Sequence, residues 1–257
     1  MDEARIRADI VEVGRRLYAR GLISGNEGNV SVRQGEALFI TPAGVCKGFL
    51  TPEMIVKADL EGQKLGGELR VSTEVLMHTA VYARRSDVGA VVHAHPPTAT
   101  GFAVAGVPLD RPLIAEAVVT LGPVPVIPYG TPSTTELARN VGGAICEAQG
   151  LLLANHGALT VGDSIYRAWE RMETIEQLAR IALVARTLGQ ANPLPAEDVE
   201  RLSAMRAGAG YPPPACVDCP ACGHSVSVGG ADQVLLPRAE LVRLVAEAVE
   251  HFTGPRT

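Results

Sequence analysis

The chain has no basic run, no long apolar run and few cysteines, and each lack removes a class of function. Lys and Arg number 23 against 28 Asp and Glu, a net charge of −5 over 257 residues. Nucleic acid and anionic membranes are held chiefly through clustered Lys and Arg, so neither is an expected partner. No stretch approaches the roughly 20 apolar residues of a membrane helix. The start, Met1-Asp-Glu-Ala-Arg-Ile-Arg7, is charged and lacks the apolar centre of a signal peptide, which predicts a cytoplasmic location. Five cysteines are an odd number for a disulfide framework and predict free thiols. The sole tryptophan, Trp169, shares helical spacing with Met172, Ile175 and Leu178, a stripe read as core or subunit interface. What remains is a chain 47% hydrophobic and 20% charged, ample for one domain with a substantial core plus an appendage.

The chain is organised around Val88-Gly-Ala-Val-Val-His-Ala-His-Pro-Pro97. It reads as a short buried strand stopped by Pro96 and Pro97, which lack the donors to extend it. Side chains two apart on a strand share a face, so His93 and His95 present two imidazoles together at its end. They are either half a metal site or two polar residues at a sheet rim. A second apolar run, Leu151-Leu-Leu-Ala-Asn-His-Gly157, is broken at His156, with Gly157 expected to make the turn. Three histidines and an open position would hold a catalytic zinc. Upstream, Ser72 or Thr73 is expected to cap a helix running to about Arg85, with Glu74 in its first turn. A carboxylate there can bind a metal or move a proton beside it. His78 lies four residues on from Glu74 and shares its face, in a supporting or packing role rather than as a further ligand.

Periodicity predicts helices over 3–20, 98–105, 164–188 and 196–207, and strands over 30–33, 37–40, 54–60, 151–153 and 158–161. Ser133-Thr-Thr-Glu136 reads as a capping box opening a helix to about Gln149. Residues 107–128 hold five prolines and are expected as strands and turns. The Gly- and Asn-rich stretch 24–31 is either an anion-binding loop or an ordinary tight turn.

Gly28-Asn-Val-Ser31, Thr41-Pro-Ala-Gly44, Ser72-Thr-Glu74, His93-Ala-His95 and Asn155-His-Gly157, in this order and spacing, resemble the class II aldolase/adducin family over about the first 210 residues. The resemblance implies an α/β fold, an α/β/α sandwich around a central, mainly antiparallel sheet. It implies zinc held by His93, His95 and His156, with Glu74 as acid/base and resting-state ligand. It also implies substrate phosphate held by Gly28, Asn29, Gly44, Ser72 and Thr73, and a homotetramer. The implied reaction is retro-aldol cleavage of a phosphorylated ketose to dihydroxyacetone phosphate and a small aldehyde. Decarboxylation of a phosphorylated 3-oxo acid and epimerisation of a sugar phosphate are the alternatives within the family, and a non-catalytic adducin-like binding module is a third. Two departures stand out. Ala43 sits where the family often has a hydroxyl, and Pro112 sits near the place of an assisting tyrosine, with Glu116 the polar residue nearby. Tyr211 is a loose match to a second, C-terminal tyrosine.

Beyond this catalytic domain (1–210), residues 211–234 read as a Pro/Gly/Cys-rich linker and 235–257 as an amphipathic helical tail. In the linker, Cys216, Cys219, Cys222 and His224 have half-site spacing for a second metal, with free thiols as the alternative. The tail resembles an encapsulation peptide of a bacterial microcompartment cargo enzyme, which would make a shell or co-cargo protein its partner. Docking onto its own tetramer is the alternative.

Overall fold

The computed structural model describes residues 2–212. It opens with helix α1, Glu3–Ala19, which buries Ile6, Ile10, Val13 and Leu17 at three- and four-residue spacing. Each such side chain contributes on the order of 1.5–3 kcal/mol on leaving water. Gly21, at φ +67°, ends the helix, and the Leu22 N–H returns to the Leu17 carbonyl at 2.9 Å.

Eight strands follow: β1 Asn29–Gln34, β2 Ala37–Ile40, β3 Val56–Asp59, β4 Lys64–Gly66, β5 Ala90–Ala94, β6 Val126–Ile127, β7 Gly150–Leu153 and β8 Gly157–Gly162. They form one sheet in the order β4-β3-β2-β1-β5-β8-β7-β6. Every pairing is antiparallel except β6 with β7. Alternation sends the two sets of side chains into separate cores. Val30, Val32, Ala90, Val92 and Ala94 pack toward α1, α3 (Pro97–Val104) and α6 (Ile165–Thr187). Leu38, Ile40, Val91, Leu159 and Val161 pack toward α2 (Val75–Arg84) and α5 (Thr135–Ala144). This is the expected three-layer α/β/α sandwich around a mainly antiparallel sheet.

Three local expectations are corrected. Residues 107–128 contain a helix, α4 (Ala115–Thr120), in the proline-free stretch between Pro112 and Pro123. The cap of α5 is Thr134, whose hydroxyl accepts the Leu137 N–H, rather than Ser133, which takes φ +69°. That helix stops at Ala144 instead of Gln149, and the carbonyls of Ile145 and Ala148 turn to Arg85. The last described helix, α7 (Ala196–Gly208), matches its expectation. Cys46 is a free thiol, as expected. Among the described residues no helix is long and apolar enough to cross a membrane. The linker beyond Pro212, with Cys216, Cys219, Cys222 and His224, and the tail 235–257 lie outside the described residues.

Candidate metal centre and its carboxylate

Alternation along β5 puts His93 on the same face as Val91, toward α2. His93 is fully buried, and its Nδ1 donates to the Ala158 carbonyl on β8 at 2.9 Å. That bond places the proton on Nδ1 and leaves Nε2 as a lone pair. His95, just past the strand, brings its Nε2 to 3.2 Å from that of His93. His156 arrives from the β7–β8 turn, and the three rings stand edge-to-face with centroids 4.7–5.0 Å apart.

The turn is made by Asn155, at φ +55°, and not by Gly157 as the sequence suggests. Gly157 serves a different need. A Cβ there would come within 2.6 Å of both the Ala94 carbonyl and the His95 ring. Gly28, at φ +73°, is held likewise, since a Cβ would meet the His93 carbonyl at 2.8 Å.

Glu74 faces the histidines from α2. It occupies the N-cap position rather than the first turn, because Ser72 Oγ takes its backbone N–H at 3.3 Å and closes a turn before the helix begins. Its Oε1 lies 3.3 Å from His156 Nε2, and its Oε2 lies 3.6 Å from His93 Nε2. Oε1 is buried and has no hydrogen bond.

Behind Glu74 runs a buried chain of hydrogen bonds whose direction can be assigned. Asn29 Nδ2 donates to Glu74 Oε2 at 2.8 Å, so Asn29 Oδ1 is the acceptor for His78 Nε2. His78 Nδ1 must then accept from Ser31 Oγ at 2.7 Å, and Ser31 accepts from Tyr82 at 2.7 Å. Every donor points toward the carboxylate. Both His78 nitrogens are taken, which makes it a support for Asn29, the role favoured by its sequence position. Burial pushes its pKa down to about 3, so it is neutral in this chain.

A metal fits this donor set. Burial, with His156 and His95 alongside, pushes the pKa of His93 well down. Burial likewise lowers His95, to about 4, and His156, where Glu74 opposes it. Neutral imidazole is the ligand form. The candidate ligand nitrogens lie within 4.8 Å of one another. Zinc–nitrogen bonds of roughly 2.0–2.1 Å set nitrogens about 3.3 Å apart in a tetrahedral site, close to the His93–His95 separation. The buried, unpaired Oε1 of Glu74 sits where a ligand or a moving proton is needed.

The remaining sequence candidates come from three loops at the same end of the sheet. Thr41 Oγ1 accepts the Val30 N–H at 3.2 Å, Ala43 N–H donates to the Arg70 carbonyl at 3.1 Å, and Pro42 bridges to Val71. Gly44 and Thr73 are exposed there, while Gly28, Asn29 and Ser72 are buried. The Asn29 amide is engaged by Glu74 and His78. In the 24–28 loop, Glu27 folds back and accepts the N–H groups of Ser24 and Gly25. Burial opposes its charge, yet these donors hold its pKa down at about 2. Glu116 and Tyr211 line a separate cleft of about 680 Å³ along α6, with Arg171 and Glu176. They make no hydrogen bond, ion pair or ring contact with the three histidines. Sequence reasoning missed Ser31, Tyr82 and Lys47; the alternation of β1 could have flagged Ser31, a polar residue between buried valines.

The family profile described as the Class II Aldolase and Adducin N-terminal domain matches residues 8–183. An L-fuculose phosphate aldolase of Methanococcus maripaludis is 33% identical over 183 residues, covering 70% of this chain and 97% of the relative. A 3-oxo-tetronate 4-phosphate decarboxylase of Escherichia coli is 31% identical over 187 residues, covering 71% of this chain and 88% of the relative. The crystal structure of the L-fuculose-1-phosphate aldolase of Thermus thermophilus superposes with a TM-score of 0.67 at 38% identity, over 75% of this chain and all of that one. The chain belongs to the class II aldolase and adducin family, and it is a lyase.

Proposed function

We propose that the chain is a zinc-dependent aldolase that cleaves a phosphorylated ketose of the L-fuculose 1-phosphate kind to dihydroxyacetone phosphate and a small aldehyde. The observation that carries this reading is the Glu74 carboxylate, 3.3 Å from His156 Nε2 and aimed by the Asn29 amide. His93, His95 and His156 would hold the zinc, with Glu74 joining them at rest. When bound, the ion supplies a Lewis acid for the substrate carbonyl beside the bond that breaks. The chain's own residues do the rest. Glu74 takes the proton of the hydroxyl on the carbon that becomes the aldehyde, and the carbon–carbon bond breaks. Its electron pair stays on the carbon next to the carbonyl, where Glu74 returns the proton. Asn29 fixes the carboxylate's orientation through both steps. Gly28, Asn29, Gly44, Ser72 and Thr73 anchor the phosphate, and that remote binding orients the reacting carbons.

A second reading is kept because a relative of nearly equal identity carries a decarboxylase name. Decarboxylation of a phosphorylated 3-oxo acid uses the same electron sink. Two assays on the zinc-loaded protein separate them. L-Fuculose 1-phosphate is offered with an enzyme-coupled readout for dihydroxyacetone phosphate, and a 3-oxo acid 4-phosphate is offered with a readout for carbon dioxide. Turnover only in the second would replace the aldolase reading.

The working assembly is read as a homotetramer, checked by mass in solution. The division at residue 210 and recruitment by residues 235–257 to a microcompartment shell or co-cargo protein are part of the same proposal. A 211–257 fusion to a fluorescent reporter that stays diffuse beside shell proteins would remove the recruitment role.

A further inference from the structure

Lys47 is 3% exposed, yet its ammonium makes one hydrogen bond, to the carbonyl of Asn26. No carboxylate among the described residues lies within the 4.0 Å of an ion pair with it. A buried ammonium has three protons to satisfy and costs several kcal/mol when left without a counter-ion. Lys47 opens the short turn Lys47–Phe49, which is fastened to α1 by packing of Phe49 on Tyr18 at 5.3 Å between ring centroids. The side chain therefore reaches the inner side of the 24–28 loop from a fixed base.

Its surroundings point to an anion. Lys47 follows Gly44 by three residues and touches Asn26, two before Gly28, so it lies between two of the loops expected to hold phosphate. Burial pushes its pKa down, while the Cys46 thiol and the Glu27 and Glu74 carboxylates push it back up. The five expected phosphate residues, Gly28, Asn29, Gly44, Ser72 and Thr73, include no cation.

We infer that Lys47 supplies the formal positive charge that neutralises the substrate's phosphate, while Gly28, Asn29, Gly44, Ser72 and Thr73 supply neutral contacts. The inference rests on the phosphorylated-substrate reading above. Lys47 thereby sets specificity for an anionic over an uncharged substrate terminus.

The test is calorimetric titration of the full-length, zinc-loaded protein with inorganic phosphate. Lys47→Met removes the charge and the hydrogen bond. Lys47→Gln removes the charge and keeps a donor for Asn26. Lys47→Arg keeps the charge. Zinc content and thermal unfolding of each variant show that it is folded and loaded. Phosphate affinity is expected to fall by about tenfold or more in Lys47→Met and Lys47→Gln, the scale of one charge-assisted hydrogen bond, and by less in Lys47→Arg. Arg70→Ala, at an exposed arginine beside the same loops, is expected to match the unmodified protein. If Lys47→Gln binds phosphate as tightly as the unmodified protein, the residue is only a brace for Asn26 and the inference is overturned, whether or not Lys47→Met folds. If the unmodified protein binds no phosphate, the phosphorylated-substrate reading falls, and the role of Lys47 falls with it.

Discussion

The two ends of strand β5 bury polar groups to opposite effect. Just before its start, Arg85 is 1% exposed and its guanidinium is fully engaged. It donates to both carboxylate oxygens of Asp87 at 2.7 Å, to the carbonyls of Ile145 and Ala148 at 2.9 and 3.0 Å, and to the Gln149 side chain. At the far end, the Nε2 atoms of His93 and His95 face each other at 3.2 Å, Glu74 Oε1 and His156 Nδ1 have no hydrogen bond, and Lys47 has one acceptor. Buried polar groups are nearly always satisfied, so burial by itself does not separate the two ends. Satisfaction does. The Arg85 end is a closed staple between the end of α2 and the connection from α5 to β7, and the histidine end is complete only with something added.

The sharpest way to break this contrast is at the histidines. His93→Ala, His95→Ala or His156→Ala is expected to strip most of the zinc and all measurable cleavage. Full zinc occupancy in His156→Ala, measured by elemental analysis, would sink the metal assignment. Glu74→Gln comes next, with fold and substantial zinc retained and turnover down at least about a hundredfold. Near-normal turnover there would move the proton chemistry to another group.

At the closed end the effect should fall on stability alone. Arg85→Met leaves the Ile145 and Ala148 carbonyls without their donor and removes the ion pair to Asp87. A loss on the order of 3 kcal/mol is expected, with zinc per folded chain and turnover unchanged. Denaturant titration beside zinc analysis checks both halves, and a loss of zinc would show that the two ends are coupled. At neutral pH the last effect, that of His78 protonation, vanishes, and it grows only as the pH falls. Burial lowers its pKa from 6.5 to about 3, so the unfolded chain binds a proton below pH 6.5 that the folded chain refuses. Stability is therefore present above about pH 6.5 and lost as pH falls toward 3. His78→Leu should flatten that slope by about 1.4 kcal/mol per pH unit. Equal slopes between pH 6 and 4 would mean that His78 is charged in the folded chain.

Legibility in the sequence followed the range of the interaction. The strand carrying His93 and the helix at 3–19 could be read because period and terminating residues are local. The α4 helix was hidden because its six residues lie among prolines that signal turns. Gly157 was correctly marked as special for the wrong reason: its neighbours Ala94 and His95 lie across the sheet, and a turn was the only need visible along the chain.

By itself the sequence determined where most helices and strands fall and put three imidazoles and one carboxylate at strand and helix ends, while the layers of the sandwich came only with the family resemblance. Alternation, helical spacing and proline stops act over a few residues and need no partner. Only the tertiary structure decided which nitrogen each imidazole turns inward, that Asn29 aims Glu74 from 45 positions away, and that His78 supports Asn29 from 49. It alone decided that Arg85 is satisfied and Lys47 is not. Hydrogen-bond satisfaction of a buried group depends on partners brought together by the fold, and no local pattern in the chain encodes who they are.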